Sequence, residues 1–401
     1  MENNLKFCNK DEFDKNFNVA FVEQNVEPPS NRLILKHYLS SLIIYGIALI
    51  VFQITPFYTK TFVDVKNINI LLNALYAIYL IFAPFFLFTL KPKTIYKSHS
   101  IDVVKYFYNH LSLKGFQKDF NAIEFINWLK PNYYEKQSMM IFFIKFLFAP
   151  QLFCWAYNHL HTFLAYFEKF IKLNNIYFDA GLKDFIAQNK IKFILAYRNV
   201  VYCTLYQFLF LVDCIIFFIG YFTECVFLNN KIKTVDTSFL GIFVCIMCYP
   251  PFNYIFHSFI PWKHNDMAFR FVSPEISFIN WIFYIIAICL IFFYVSASVA
   301  LFTKASNLTN RGIVSHFPYN IIRHPAYISK ISLWWLASFC VIKNLIDTQM
   351  YSKVILFIIT AIIWTFIYFL RALTEERHLM LDPDYREYAE KVKYRFIPFV
   401  L

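Results

Sequence analysis

Long apolar runs alternate along this chain with short polar joints rich in lysine. The runs at 33–54, 69–90, 140–167, 200–227, 239–260, 276–302, 328–346 and 352–370 come near or exceed the roughly 20 apolar residues that carry an α-helix across a bilayer. The pattern predicts an all-α, polytopic integral membrane bundle of about eight transmembrane helices. The last two spans form a hairpin. In the 91–139 joint, Val103, Val104, Phe107 and Leu111 recur at helical spacing among lysines. A helix lying on the membrane surface is expected there. Segment 168–192 is also amphipathic. Pro150 in the third run predicts a kinked or partly re-entrant path. The YPPFN stretch at 249–253 breaks the fifth run, because proline lacks the N–H that a helix interior needs.

This reading divides the chain into a polar lead (1–32), an N-terminal membrane region (33–235) and a membrane domain (236–401). The core motifs of that domain occupy 311–401. An even number of spans places both termini on one side. The basic 91–139 and 303–327 joints fall on that side, so it is expected to be cytoplasmic. The basic 168–192 segment runs against this topology. The opening stretch is polar and of mixed charge, unlike a cleaved leader. The first span is therefore expected to act as its own insertion signal.

Composition narrows the picture. The chain of 401 residues is 59% hydrophobic and only 16% charged, against roughly a quarter charged in soluble domains. The net charge of +12 resides mainly in joints, as anionic headgroups favour. No basic domain stands apart from the spans, so no nucleic-acid partner is expected. Most of the nine cysteines lie in apolar runs, where they act as small hydrophobes. Cys245 and Cys248 form a C-x-x-C with no second pair, which argues against zinc or redox chemistry. The six glycines are far apart, which excludes a glycine-rich phosphate loop. His159 and His161 point in different directions on a helix. His257, His264 and Asp266, beside Trp262, match no metal spacing and read as interfacial polar residues. No metal is expected.

Ionisable groups inside apolar runs carry more information. Asp213 and Glu224 stand roughly three helical turns apart, which places both on one side of the fourth span. They read either as a polar wall of a substrate site or as structural partners of Arg198 or a neighbouring histidine. The densest polar chemistry flanks the final hairpin. Its two helices have similar lengths, about 28–30 Å at ~1.5 Å per residue. A tight turn therefore returns Glu375 and Glu376 beside His324. Pro325 fits the first turn of a helix, whose amides favour an anion. Arg323 offers a bidentate clamp for a carboxylate. Glu375 or Glu376 suits a ribose diol or an ammonium group. Tyr327 offers a hydroxyl or a π-face that attracts a sulfonium. Together these groups describe S-adenosylmethionine.

The order R-H-P-x-Y, helical hairpin, R-x-x-x-E-E and closing Y-x-x-Y…IP resembles the isoprenylcysteine carboxyl methyltransferase family and its phospholipid N-methyltransferase relatives. The likeness covers about the last quarter of the chain. It implies that His324, Tyr327, Glu375 and Glu376 bind S-adenosylmethionine and that Arg323 and Arg371 are the motif arginines. Asn307, Asn310, Gly312, Pro318 and Tyr319 look like the family's lead-in. One departure is Ser329, where the family usually has glycine. The implied activity is methyl transfer to a membrane lipid or lipidated acceptor at the cytoplasmic face. A carboxylate acceptor needs an orienting base such as Arg371. An amine acceptor needs a proton acceptor, for which Asp213 and Glu224 are candidates. The rivals are a sterol-type reductase using NADPH and a non-enzymatic transporter or assembly factor. In the tail, Asp382 caps a helix with Pro383 at its first position. Tyr385, Tyr388 and Val392 share one face of it. This helix either folds back over the cofactor or lies on headgroups.

Overall fold

A computed structural model of the chain describes residues 27–61, 65–113, 122–178, 190–224, 228, 230–259 and 278–398. Among the described residues helices dominate, with one two-residue strand pair. Among the described residues, seven helices are long and apolar enough to cross a membrane: Asn31–Ile54, Lys66–Leu90, Tyr133–Tyr177, Lys190–Phe222, Trp281–Lys304, Pro325–Asp347 and Tyr351–Leu379. This is consistent with a multi-pass membrane protein.

The fifth expected span, 239–260, is not a single long helix and is not among these seven. It consists of two eight-residue helices, α8 (Phe239–Ile246) and α9 (Phe252–Phe259), on either side of the paired prolines. Neither Pro250 nor Pro251 can donate the backbone bond that would carry α8 into α9. The even span count behind a common side for both termini is therefore not met among the described residues. His264, Asp266 and Trp262 lie outside those residues, as does the side chain of His257.

The chain divides into two compact units between Phe146 and Leu147. The first contains α1 (Asn31–Ile54), α2 (Pro56–Thr61), α3 (Val65–Leu90), α4 (His99–Leu111) and α5 (Ala122–Leu129). It also holds the start of α6 (Tyr133–Phe178). Ser30 caps α1 and Ser98 caps α4, each accepting from a first-turn amide. Tyr76 donates to the Leu42 carbonyl at 3.0 Å. It can approach because a Cβ at Gly46 would lie only 3.1 Å from its hydroxyl.

The third apolar run lies in one continuous helix, since α6 passes through Pro150 over 46 residues. Pro150 leaves the Phe146 carbonyl without its usual donor, and Tyr58 Oη donates to that oxygen at 3.3 Å. His159 and His161 make separate contacts, as their spacing requires. His159 Nδ1 meets Gln207 Oε1 at 2.6 Å, whereas His161 lies against the Tyr157 ring.

The second unit holds α7 (Lys190–Phe222), α10 (Phe278–Leu301), α11 (Pro325–Asp347) and α12 (Tyr351–Leu379). Their shared core includes Tyr206, Phe210, Ile291, Leu333, Trp364 and Tyr368. Here α10 packs on both α7 and α11, and α11 on α12. Strand β1 (Thr234–Val235) pairs antiparallel with β2 (Thr309–Asn310). This pairing fixes the two joints that approach the end of α12. The sequence boundary at 235/236 falls inside this unit.

Candidate functional site

The α11–α12 hairpin turns within residues 348–350, tighter than the 343–351 turn expected from the sequence. Pro325 begins α11. Its fixed φ suits that position and its missing N–H removes no helical bond. The matched helix lengths return Glu375 and Glu376 to the level of His324 and Tyr327. Tyr327 Oη donates to Glu375 Oε2 at 2.6 Å, and His324 Nε2 lies 3.1 Å from Glu376 Oε1. The His324 and Tyr327 rings stack with centroids 5.4 Å apart.

Glu376 is the most heavily engaged carboxylate of the site. It is 3% exposed. Besides His324, its Oε1 lies 2.9 Å from Arg323 Nε. Its Oε2 accepts from Arg395 Nε at 2.7 Å. Arg323 thus faces Glu376 rather than a free carboxylate site. Arg395 was not singled out in the sequence, because only the path of the tail brings it here. That path is set by two backbone bonds, Arg323 N to the Tyr394 carbonyl and His324 N to the Arg395 carbonyl, both 2.9 Å. The Phe396 ring closes on His324 and Phe369.

Arg371 lies one turn before Glu375 on α12 and is 5% exposed. Its Nη2 donates to Asn307 Oδ1 at 2.5 Å and to Tyr249 Oη at 3.2 Å. The guanidinium also lies over the rings of Tyr249, Tyr327 and Tyr368 at 5.1, 5.2 and 5.7 Å. Among the described residues it has neutral partners and no ion pair. Taking a cation out of water without an opposite charge is costly, so this position favours an incoming anion. Arg371 lines a small cleft together with Tyr327, Glu375, Thr374, His378 and Cys245. The cleft has a volume of about 10 Å³, on the scale of one water. Any larger ligand must displace side chains. Burial pushes the Cys245 thiol up to about 12 and raises that of Cys248. Neither thiol is therefore primed for redox or metal chemistry. Among the described residues, no cluster of three His, Cys, Asp or Glu side chains could hold a metal.

A polar girdle holds the joints against the end of α12. Asp382 is fully buried. Its Oδ1 caps α13 (Pro383–Lys391) by accepting from Asp384 N at 3.0 Å. Its Oδ2 accepts from Asn310 Nδ2 at 2.7 Å and from Lys233 Nζ at 3.2 Å. His378 Nε2 contacts Thr234 Oγ1 at 3.2 Å, and Arg377 reaches Asp236 at 3.7 Å. The expected face of α13 is present. Tyr385, Tyr388 and Val392 pack on Ile313, Tyr319 and Leu379, so the helix rests on protein. Gly312 has φ +92°, a conformation glycine adopts without Cβ strain. Its amide donates to Asn310 Oδ1 at 2.8 Å.

Asp213 and Glu224 do not share a helix face. Helix α7 ends at Phe222, and Glu224 lies in the joint beyond it. Just past the helix, the Thr223 carbonyl accepts from Asn230 Nδ2 at 3.1 Å, seven residues on. Glu224 Oε1 accepts from Ile232 N at 3.1 Å. Its charge also acts on Arg311, whose pKa is lowered by burial and supported by Glu224. Asp213 is buried within the bundle. Its oxygens accept from Ser298 Oγ at 2.5 Å and Tyr294 Oη at 3.2 Å. Arg198, an alternative structural partner of these acids, instead lies over the Tyr284 and Trp281 rings.

Ser329 is 2% exposed and bonds its own helix, donating to the Pro325 carbonyl at 2.7 Å. Its side chain thus turns back along α11. Comparisons with protein-family models, with curated proteins and with solved structures return no match to this chain.

Proposed function

We propose that this chain is an S-adenosylmethionine-dependent membrane methyltransferase acting on a lipid-borne acceptor, as its likeness to the isoprenylcysteine carboxyl methyltransferase family suggests. The observation carrying the reading is a juxtaposition. His324 and Tyr327 meet Glu376 and Glu375 at the open end of one hairpin, beside an Arg371 guanidinium that has no acid partner among the described residues. These residues suit the cofactor's functional groups. Glu375 provides an acceptor for hydroxyl or ammonium donors, and Tyr327 an aromatic face for a sulfonium. The cofactor supplies an electrophilic methyl group on sulfur.

The chain's own work is then positioning and exclusion of water. Arg371 orients the acceptor. A carboxylate acceptor fits this site better than an amine. With the cofactor bound, a carboxylate oxygen would take the methyl group as the methyl–sulfur bond breaks; an ester C–O bond would form, a neutral thioether would leave, and no proton would have to be removed. Arg371 offers the missing counter-charge. An amine would need a base, and the two candidates are engaged. Asp213 is held by two hydroxyls, and Glu224 by a backbone amide beside Arg311.

Thermal unfolding and calorimetric titration of the purified full chain test the reading. S-adenosylmethionine should raise the melting temperature and NADPH should not. Glu375→Gln should weaken cofactor binding by roughly tenfold or more. Membranes supplied with labelled cofactor and a prenylcysteine analogue should yield a base-labile methyl ester. A shift with NADPH alone would point to the reductase. Binding of neither cofactor, with solute flux in vesicles, would point to a transporter.

A further inference from the structure

A second site stands out far from the cleft, built on the opposite end of α7. Arg198 and Tyr202 are 4% and 5% exposed. They are four residues apart on one helix and so share a face. The Arg198 guanidinium lies 4.6 Å from the Tyr284 ring and 5.8 Å from the Trp281 ring. Aromatic faces attract the flat face of a guanidinium, but its N–H donors point outward in the plane. Two of those nitrogens, Nε and Nη1, are buried with no hydrogen-bond partner among the described residues. The Tyr202 hydroxyl is buried without one as well. It stands beside the same ring, with Tyr202 and Tyr284 centroids 5.0 Å apart. The Tyr284 hydroxyl donates to Asn199 Oδ1 at 3.0 Å and accepts from none of these donors. Buried donors of this kind each cost about 1–3 kcal/mol when left unmet.

Three donor atoms, two of them on one guanidinium cation, therefore lack an acceptor among the described residues. A group with several oxygens and a negative charge satisfies all of them. The position names its source. At the other end of α7, a Cβ at Gly220 would clash with the Ala305 carbonyl and Tyr221 Oη accepts from Asn307 N, beside the Arg371 network. From Gly220 to Arg198 the helix rises roughly 33 Å at ~1.5 Å per residue, about the thickness of a bilayer core. Arg198 thus sits at one membrane edge when the candidate cleft sits at the other. Trp281 is 36% exposed, as suits an indole at an interface. Lys190 and Lys192, in the first turn of α7, are exposed and add positive potential.

We propose that Arg198 and Tyr202 form an anion site for the phosphate of a lipid headgroup, in the leaflet opposite the candidate methyl-transfer cleft. The proposal stands apart from the methyltransferase reading, and its readout is lipid binding. The test uses the full chain in neutral detergent, followed by native mass spectrometry and thermal unfolding. The probes are dioleoylphosphatidylglycerol, dioleoylglycerol as the same chains without phosphate, and inorganic phosphate. Wild-type protein should bind and be stabilised by the phospholipid but not by dioleoylglycerol. Arg198→Gln should weaken phospholipid binding at least roughly tenfold, Tyr202→Phe less, and Arg198→Lys should restore part of the loss. Removing an unpaired buried cation should not lower the unliganded melting temperature. Should Arg198→Gln fail to fold, Tyr202→Phe carries the test. Arg198→Gln protein that binds the phospholipid like wild type overturns the site. Inorganic phosphate stabilising as well as the phospholipid overturns the lipid assignment in favour of a soluble anion.

Discussion

Tyr327 Oη donates to Glu375 Oε2 at 2.6 Å, linking the first turn of α11 to the last turns of α12. A hydrogen bond from a hydroxyl to an ionised carboxylate is stronger than one between neutral groups. This bond also joins the two motifs on which the proposed cofactor site rests. A double-mutant cycle with Tyr327→Phe and Glu375→Gln should therefore give a coupling energy of about 0.5–3 kcal/mol in thermal unfolding. The same cycle on S-adenosylmethionine affinity should also be non-additive. Strict additivity in both would mean that the two residues act separately.

Glu376 joins three partners from two distant segments, so its loss should be felt more widely. Replacing it leaves Arg323 buried without its carboxylate. Breaking a buried pair by removing one member costs about 3–5 kcal/mol. Glu376→Ala should lower the melting temperature markedly, whereas Arg395→Ala, whose side chain is 39% exposed, should lower it less. Equal losses from both would argue that the tail contact, rather than the Arg323–Glu376 pair, holds the hairpin end together.

The contrast between Glu376 and Arg395 also shows what can be read from the chain. The hairpin and the meeting of His324 with Glu376 follow from two apolar runs of matched length with polar ends. Pro325 and Asp382 mark helix starts by local rules alone. Arg395 is not legible, since its place depends on backbone bonds between 323–324 and 394–395. Tyr249 and Asn307, which hold Arg371, come from two separate joints, and no periodicity relates them. Glu224 is misplaced by periodicity because α7 ends at Phe222, two residues short of it, and its carboxylate meets the Ile232 amide instead. The fifth run is not one continuous helix, as its YPPFN stretch foretells. Pro250 and Pro251 are local signals strong enough to override its hydropathy.

Burial of the C-x-x-C pair leads to a chemical prediction. With its pKa pushed up to about 12, Cys245 carries at most about one thiolate in 10⁴ molecules at pH 8, by the usual titration relation. Cys248 is raised in the same direction. Neither should react with a maleimide in the folded protein over minutes, and both should react after denaturation. Mass spectrometry of peptides containing Cys245 and Cys248 checks this. Rapid labelling of the native protein would mean that the cleft opens readily to solvent.

His110 supplies a pH dependence in the first unit. Its Nδ1 lies 2.7 Å from the Tyr106 carbonyl and its Nε2 lies 2.9 Å from the Trp128 carbonyl. Carbonyl oxygens only accept, so both nitrogens must carry protons for both bonds to exist, which is the imidazolium form. The Trp128 carbonyl, then the Tyr106 carbonyl, raise the His110 pKa, and Glu135 adds to this while burial opposes it. A raised folded pKa gives stabilisation that is complete below the ordinary histidine value near 6.5. It is lost as pH climbs through the folded value. Helix α5, tied to α4 through His110 and through Tyr106 Oη donating to the Leu129 carbonyl, should loosen accordingly. Amide hydrogen exchange over Ala122–Leu129, corrected for intrinsic rates, should show more protection at pH 5.5 than at pH 8.5. His110→Gln, which cannot donate from two ring positions or gain a proton, should abolish that difference. Equal protection of the wild type at both pH values would rule out the protonated bridge.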